Sequence, residues 1–203
     1  MIYGVINCYN DFPLIERTVE SIAPLVDIII CVDGRYEDFP QINGSDISTD
    51  GTLEYLERRN DCRIVVAPLL SEIHKRNCYL VGSLGDWYLH LDADEVWHGA
   101  LRIPDADMGI VKLKWRKTGN WMDRVRLFRH VPGLQYKGKH YWLHDEQGRT
   151  FARLEKPGKA YSATRLDNWI EHFDELRPPE RQTLKRSYYR ILSKRENRIQ
   201  EIP

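Results

Sequence analysis

The sequence has no long apolar run: the longest, residues 25–32, is interrupted by Asp27. It is far shorter than the roughly 20 residues a helix needs to cross a bilayer. The opening MIYGVINCYNDFP carries neither a basic nor an apolar leader segment, and no repeat or low-complexity tract follows. The expectation is therefore a cytoplasmic chain. Its four cysteines, Cys8, Cys31, Cys62 and Cys78, share no Cys-x-x-Cys or other metal-ligand spacing. They read as reduced thiols of a core. Net charge is absent too: 30 Lys+Arg balance 30 Asp+Glu. On the average alone, that excludes a general nucleic-acid binder.

What is present begins with an asymmetry inside that zero. Residues 1–100 carry 7 Lys+Arg against 17 Asp+Glu, and residues 101–203 carry 23 against 13. Such a split suggests that the halves meet different things. With 203 residues, 42% hydrophobic and 11% aromatic, the chain suits one folded domain. The expected organisation is a single unit, 1–203, with an acidic half at 1–100 and a basic half at 101–203.

The acidic half alternates strand and helix. Residues 2–7, 28–32, 63–67 and 87–91 are apolar runs of strand length. Between them, residues 12–22 have helical spacing, with Asp11 as predicted N-cap and Pro13 early in the helix. A second helix is expected from Ser48-Thr49-Asp50 to about Asn60, and a third over 71–81. The order predicts an α/β fold, a parallel sheet wrapped by helices, whose ligands bind at the carboxyl ends of the strands. Polar residues gather at those ends: Asn7, Asn10, Asp33, Asp92 and Asp94. In the basic half, residues 109–117 and 124–130 read as strands. Residues 133–148 read as a loop over a site. Residues 179–199 read as a basic helix packed through Leu184, Tyr188 and Ile191.

Asp92 and Asp94 are two apart after an apolar strand, so on an extended chain they point the same way. That geometry suits a hard cation, Mg²⁺ or Mn²⁺, which prefers oxygen ligands and shares them with substrate phosphates. Asp-x-Asp is a weak signal by itself, and Asp105-Ala106-Asp107 is a second copy in an apparent turn. His90, between Leu89 and Leu91, reads as a packed or hydrogen-bonded side chain. His172 reads the same way beside Ile170 and Phe173. The tryptophans read mainly as core, with Trp97 and Trp142 the candidates for stacking on a sugar ring.

In order, these residues resemble the family 2 glycosyltransferases of GT-A fold. The carriers are Ile6-Asn7-Cys8-Tyr9-Asn10, Val32-Asp33-Gly34, Ser48-Thr49-Asp50-Gly51-Thr52, Lys75-Arg76-Asn77 and Leu91-Asp92-Ala93-Asp94-Glu95. The match covers about residues 1–100. It departs from the family where residues 35–47 split an acidic block that is normally continuous. The second half is more loosely similar to bacterial core-oligosaccharide-type glucosyltransferases. The resemblance there rests on Arg126-Leu127-Phe128-Arg129, His144-Asp145-Glu146 and His172 before a basic helix.

The resemblance implies a GT-A mixed sheet flanked by helices, with a C-terminal basic helix. It implies an inverting transferase acting on a nucleotide-diphosphate sugar, UDP-linked most often, with Mn²⁺ or Mg²⁺ as cofactor. Asn7, Asp33, Arg76 and Asp92 would contact the nucleotide. Asp92, Asp94 and His144 would hold the metal, and either Asp145 or Glu146 would be the base. The basic helix is either a solvated face or a contact for an anionic acceptor: a glycolipid at a membrane surface, a glycan, or a modified nucleic acid. Two rivals are a sugar-nucleotide-forming nucleotidyltransferase and a non-catalytic nucleotide- or glycan-binding module. The first would want a Gly-rich, basic loop after the first strand, and residues 7–13 offer none.

Overall fold

A computed structural model describes residues 1–81, 86–137, 142–151 and 161–200. Four parallel strands form one side of the main sheet: β1 (Ile2–Cys8), β2 (Ile28–Asp33), β3 (Cys62–Val66) and β4 (Trp87–Asp92). β1 and β2 are buried almost throughout, which is why they read as unbroken apolar runs rather than alternating ones. Four more strands complete the sheet: β5 (Glu95–His98), β6 (Met108–Trp115), β7 (Trp121–Arg129) and β11 (Ala163–His172). The order is β3-β2-β1-β4-β7-β6-β11-β5. β7 is antiparallel to both β4 and β6, and β6 is parallel to β11. The carboxyl ends of β1, β2, β4, β6 and β11 therefore share one edge. Strands from both halves of the sequence share this single sheet, with β5 of the first half lying beyond three strands of the second.

Helices α1 (Leu14–Ile22) and α2 (Thr52–Glu57) cover one face, and α3 (Glu72–Val81) covers the other. Beside α3 lies a small sheet of β8 (Gln135–Lys137), β9 (Trp142–His144) and β10 (Thr150–Phe151). Part of the segment expected to be a loop over the site is thus sheet. Asn77 ties it to α3, its carboxamide donating to the Tyr136 carbonyl (3.1 Å) and accepting the Tyr136 N–H (2.7 Å). The last helix, α4 (Pro179–Gln200), follows a 3-10 turn at Asp174–Leu176. The expected mixed α/β sheet flanked by helices, with a C-terminal helix, is the architecture found. Among the described residues no helix is long and apolar enough to cross a membrane. All four cysteines are free thiols, Cys8 and Cys31 fully inside.

Two helix starts differ from expectation for a local reason. Asp11 is not the N-cap of α1, whose cap is Pro13. The Asp11 carboxylate instead accepts the Tyr9 N–H (3.0 Å) and pairs with Arg177. α2 begins at Thr52, four residues late, because Ser48 and Thr49 are committed elsewhere. Ser48 turns to Asp33, and the Thr49 N–H donates to the Asn10 side chain (2.8 Å). Asp50 then accepts the Thr52 N–H (3.0 Å), while Gly51 takes the left-handed turn (φ 102°) that precedes the helix.

Candidate functional site

A cleft of ≈ 260 Å³ opens at the carboxyl edge of the sheet. Asn7, at the end of β1, is in register with Asp92 at the end of β4, and both line it. Ala93 and Asp94 continue the floor. α3 supplies Glu72, Lys75 and Arg76, and the segment after β2 supplies Tyr36 and Phe39. α4 closes the cleft from above with Arg181, Lys185, Tyr188 and Tyr189. This is where an open α/β sheet places a ligand.

The segment at residues 35–47, which interrupts the resemblance, is a folded platform. Arg35 pairs with Asp46 and donates to the Glu37 carbonyl (3.1 Å), while Tyr9 hydroxyl donates to the Ser45 carbonyl (2.6 Å) and accepts the Ile42 N–H (2.8 Å). Upon it rests α4: Tyr188 is 3% exposed and packs with Tyr9 and Phe39, supported by Leu184 and Leu192. The packing face of α4 is thus Leu184, Tyr188 and Leu192 at a spacing of four. Ile191, expected on that face, is 45% exposed.

Three consecutive residues of α3 reach three different neighbours, as steps of about 100° around a helix require. Lys75 is 1% exposed and donates to the carbonyls of Cys8 (3.0 Å) and Gly34, pinning the ends of β1 and β2 together. Burial pulls its pKa below the usual lysine value. Arg76 pairs with Glu72 (2.9 Å) and Asp92 (3.3 Å), and Asn77 holds the small sheet.

Asp92 is also paired with Arg126 (3.2 Å), which reaches Glu95 as well. Burial works against ionisation of Asp92, but Arg126, His90 and Arg76 outweigh it and hold the carboxyl well below the usual range. His90 lies between the two guanidiniums, with its Nδ1 3.1 Å from Arg126 Nη1. Burial, then the charge of Arg76, pushes it down to about 3, so it is a neutral, hydrogen-bonded histidine as its strand position predicted. Glu95, 1% exposed, is pushed up to about 8 by burial, against the pull of Arg126.

Asp94 is 1% exposed and accepts from Arg177 Nε (3.1 Å) and Lys185 Nζ (3.1 Å). Here too burial opposes ionisation, and Arg177, Lys185 and His172 overcome it to hold the carboxyl low. Arg177, itself 7% exposed, bridges Asp94 to Asp11. His172 is buried, its Nδ1 3.7 Å from Asp94 and 3.8 Å from Glu95, both too long for a hydrogen bond. Part of the charge split of the sequence is therefore spent inside the molecule. Arg126, Arg177 and Lys185 of the basic half pair with Asp92, Asp11 and Asp94 of the acidic half, and Arg126 also reaches Glu95.

Of the residues expected at the site, Asn7, Arg76, Asp92 and Asp94 come together in the cleft. Asn7 is 8% exposed, and both polar atoms of its carboxamide lack a hydrogen-bond partner among the described residues. Asp33 is fully buried, accepts the N–H (3.0 Å) and hydroxyl of Ser48, and is not among the lining residues. Nor are His144, at the end of β9, and Asp145 and Glu146, which follow it.

His144 Nδ1 lies 3.2 Å from the Gly148 carbonyl. Asp145 is 1% exposed and accepts from Tyr161 hydroxyl (2.6 Å), Arg149 N–H (2.8 Å) and the Arg149 side chain. Burial would raise it, but these donors bring it down to about 2, so its carboxylate is a weak proton acceptor. Glu146 is exposed beside it. Trp97 is corrected: it is 4% exposed in the main core and donates to the Gly99 carbonyl (2.8 Å), so no sugar can stack on it. The Trp142 side chain lies outside the described residues.

A divalent cation of this kind takes about six oxygen ligands. Asp92 and Asp94 are each already neutralised by two cationic side chains of the chain itself. Among the described residues, no three His, Cys, Asp or Glu side chains form a cation-binding group. As paired here, the side chains of the described residues do not fit a divalent metal ion, because cations of the chain already occupy both carboxylates. What the sequence reading missed at the site were Arg177, just before α4, and Arg181 and Lys185, whose spacing of four was a usable signal for one face of a helix.

No family model matches this chain, and no curated protein sequence matches it. Among solved structures, it is similar to S. aureus TarS 1-349 in complex with UDP, at 18% identity and a TM-score of 0.45, over 68% of this chain and 40% of that one. The same protein in complex with UDP-GlcNAc gives 20% identity and a TM-score of 0.43, over 68% and 38%. The mannosyltransferase PcManGT from Pyrobaculum calidifontis, in complex with GDP-Man and Mn²⁺, gives 21% identity and a TM-score of 0.42, over 54% and 34%. The chain spans at most two fifths of the length of these structures.

Proposed function

We propose that this chain transfers a sugar from a nucleotide-diphosphate sugar, UDP-linked by preference, to an acceptor hydroxyl. The observation that carries the reading is Asn7: a buried carboxamide with no partner at either atom among the described residues, set at the strand end that lines a cleft of mixed charge. A buried orphaned amide costs roughly 1–3 kcal/mol, which a ligand offering one donor and one acceptor recovers. A nucleoside offers such pairs on its base edge and its ribose. Lys75, Arg76, Arg181 and Lys185 around the same cleft suit the charge of a diphosphate.

The reaction is a single displacement. The acceptor oxygen forms a bond to the anomeric carbon as the bond from that carbon to the phosphate oxygen breaks. The electron pair leaves with the nucleoside diphosphate, the acceptor's proton passes to a base, and configuration inverts. Calorimetric titration of the full chain with UDP, GDP and CDP tests the donor side, and a panel of UDP-sugars assayed for released UDP tests turnover. Binding of UDP that Asn7→Leu weakens is the expected result. Failure of every nucleotide to bind would sink the reading.

A further inference from the structure

We propose that α4 does the work of a divalent cation: the donor's diphosphate docks on Arg181 and Lys185, and its binding needs no metal ion. This rests on the nucleotide-sugar reading above. The first observation is the mismatch at the acidic pair. Asp94 holds Arg177 and Lys185, Asp92 holds Arg76 and Arg126, and a divalent ion at either would have to displace those partners.

The second observation is Arg181. Its guanidinium lies 4.4 Å from the Phe39 ring centroid and 5.4 Å from that of Tyr9, and Nη2 donates to the Tyr9 carbonyl (2.8 Å). Nε and Nη1 are buried at the cleft with no acceptor among the described residues. A guanidinium held by two rings, with N–H donors left over, is a pre-set anion receptor, because the rings fix its plane and the orphaned donors gain most from a phosphate oxygen. The third is spacing. Arg181 and Lys185 fall one turn apart on α4 and face the cleft, with Arg177 just before the helix, whereas Arg186 and Arg190 are exposed on the other side of α4. Asp94 and Asp11 then act as positioning residues, fixing Arg177 and the near end of α4.

Titration calorimetry of the full chain with UDP and GDP, in EDTA and in Mn²⁺, decides the matter, with thermal unfolding as the check on each variant's fold. The expected result is binding in EDTA within about threefold of that in Mn²⁺, weakened about tenfold or more by Arg181→Gln and unchanged by Arg190→Gln. Inorganic diphosphate in EDTA should compete with the bound nucleotide. Should Arg181→Gln fail to fold, Lys185→Gln carries the same expectation. Binding that appears only with Mn²⁺, or that ignores both substitutions, overturns the proposal and leaves the nucleotide-sugar reading standing. If neither nucleotide binds in either condition, that reading falls first, and this one with it.

Discussion

Tyr36 and Tyr188 lie face to face, their ring centroids 5.8 Å apart and their planes 17° from parallel. One belongs to the segment that interrupts the resemblance to a known family, the other to the last helix, so an apparent insertion is the seat of α4. A stacked aromatic pair contributes about 0.5–1.5 kcal/mol beyond its buried area. A double-mutant cycle of Tyr36→Ala and Tyr188→Ala, followed by urea unfolding, should give a coupling energy in that range. Strict additivity would show that the two elements meet without depending on each other.

Asp94 gives a sharper contrast. Carboxylates gathered for a metal repel one another without it, and removing one stabilises the metal-free protein. Here Asp94 is the partner of Arg177 and Lys185, and Arg177 is buried. Asp94→Ala should lower stability by about 3 kcal/mol, the lower end for breaking a buried pair, since Arg177 retains Asp11. A raised unfolding midpoint in EDTA would contradict the pairing.

Legibility followed burial. β1 and β2 lie inside the sheet, and their apolar runs named them in the sequence. β11 did not announce itself, because its inward positions Asn168, Ile170 and His172 are two-thirds polar. Asn168 is there to donate to the Ala100 carbonyl (2.9 Å), a role no hydropathy pattern carries. At the site, Asn7, Asp92 and Asp94 were visible because polar residues at strand ends are informative on their own. Arg181 and Lys185 were visible only as part of a basic helix, and Arg177 not at all, since Asp11 and Asp94 lie far away in sequence. Asp145 was misleading for the same reason: nothing adjacent to it foretells Tyr161.

Gly34, which lines the cleft directly after β2, is held at φ 119°. A Cβ there would meet the Pro68 backbone at 2.7 Å. Neither the torsion nor the neighbour can yield, because the Gly34 carbonyl is held by Lys75 and the Ala67 N–H donates to the Asp33 carbonyl (2.9 Å). Gly34→Ala should therefore cost more than about 1 kcal/mol in chemical denaturation and weaken nucleotide binding with it. Loss of binding at unchanged stability would place the effect on the ligand rather than on the backbone.

Asp145 makes a prediction with a defined pH window. Its carboxyl sits at about 2 in the folded protein against an ordinary value of 3.8, because the donors from Tyr161 and Arg149 outweigh the burial that would raise it. A depressed carboxyl contributes stability that is complete above its unfolded value and disappears as pH falls through its folded value. Asp145→Asn should therefore melt below the wild type at pH 6, and the gap should narrow between pH 4 and pH 2 as the wild-type carboxyl protonates. Tyr161→Phe removes the donor 2.6 Å from Oδ2 and should move the Asp145 titration upward, readable from its carboxyl carbon by NMR. A gap in melting temperature that stays constant down to pH 2 would mean that the shape of the side chain, and not its charge, is what the small sheet uses.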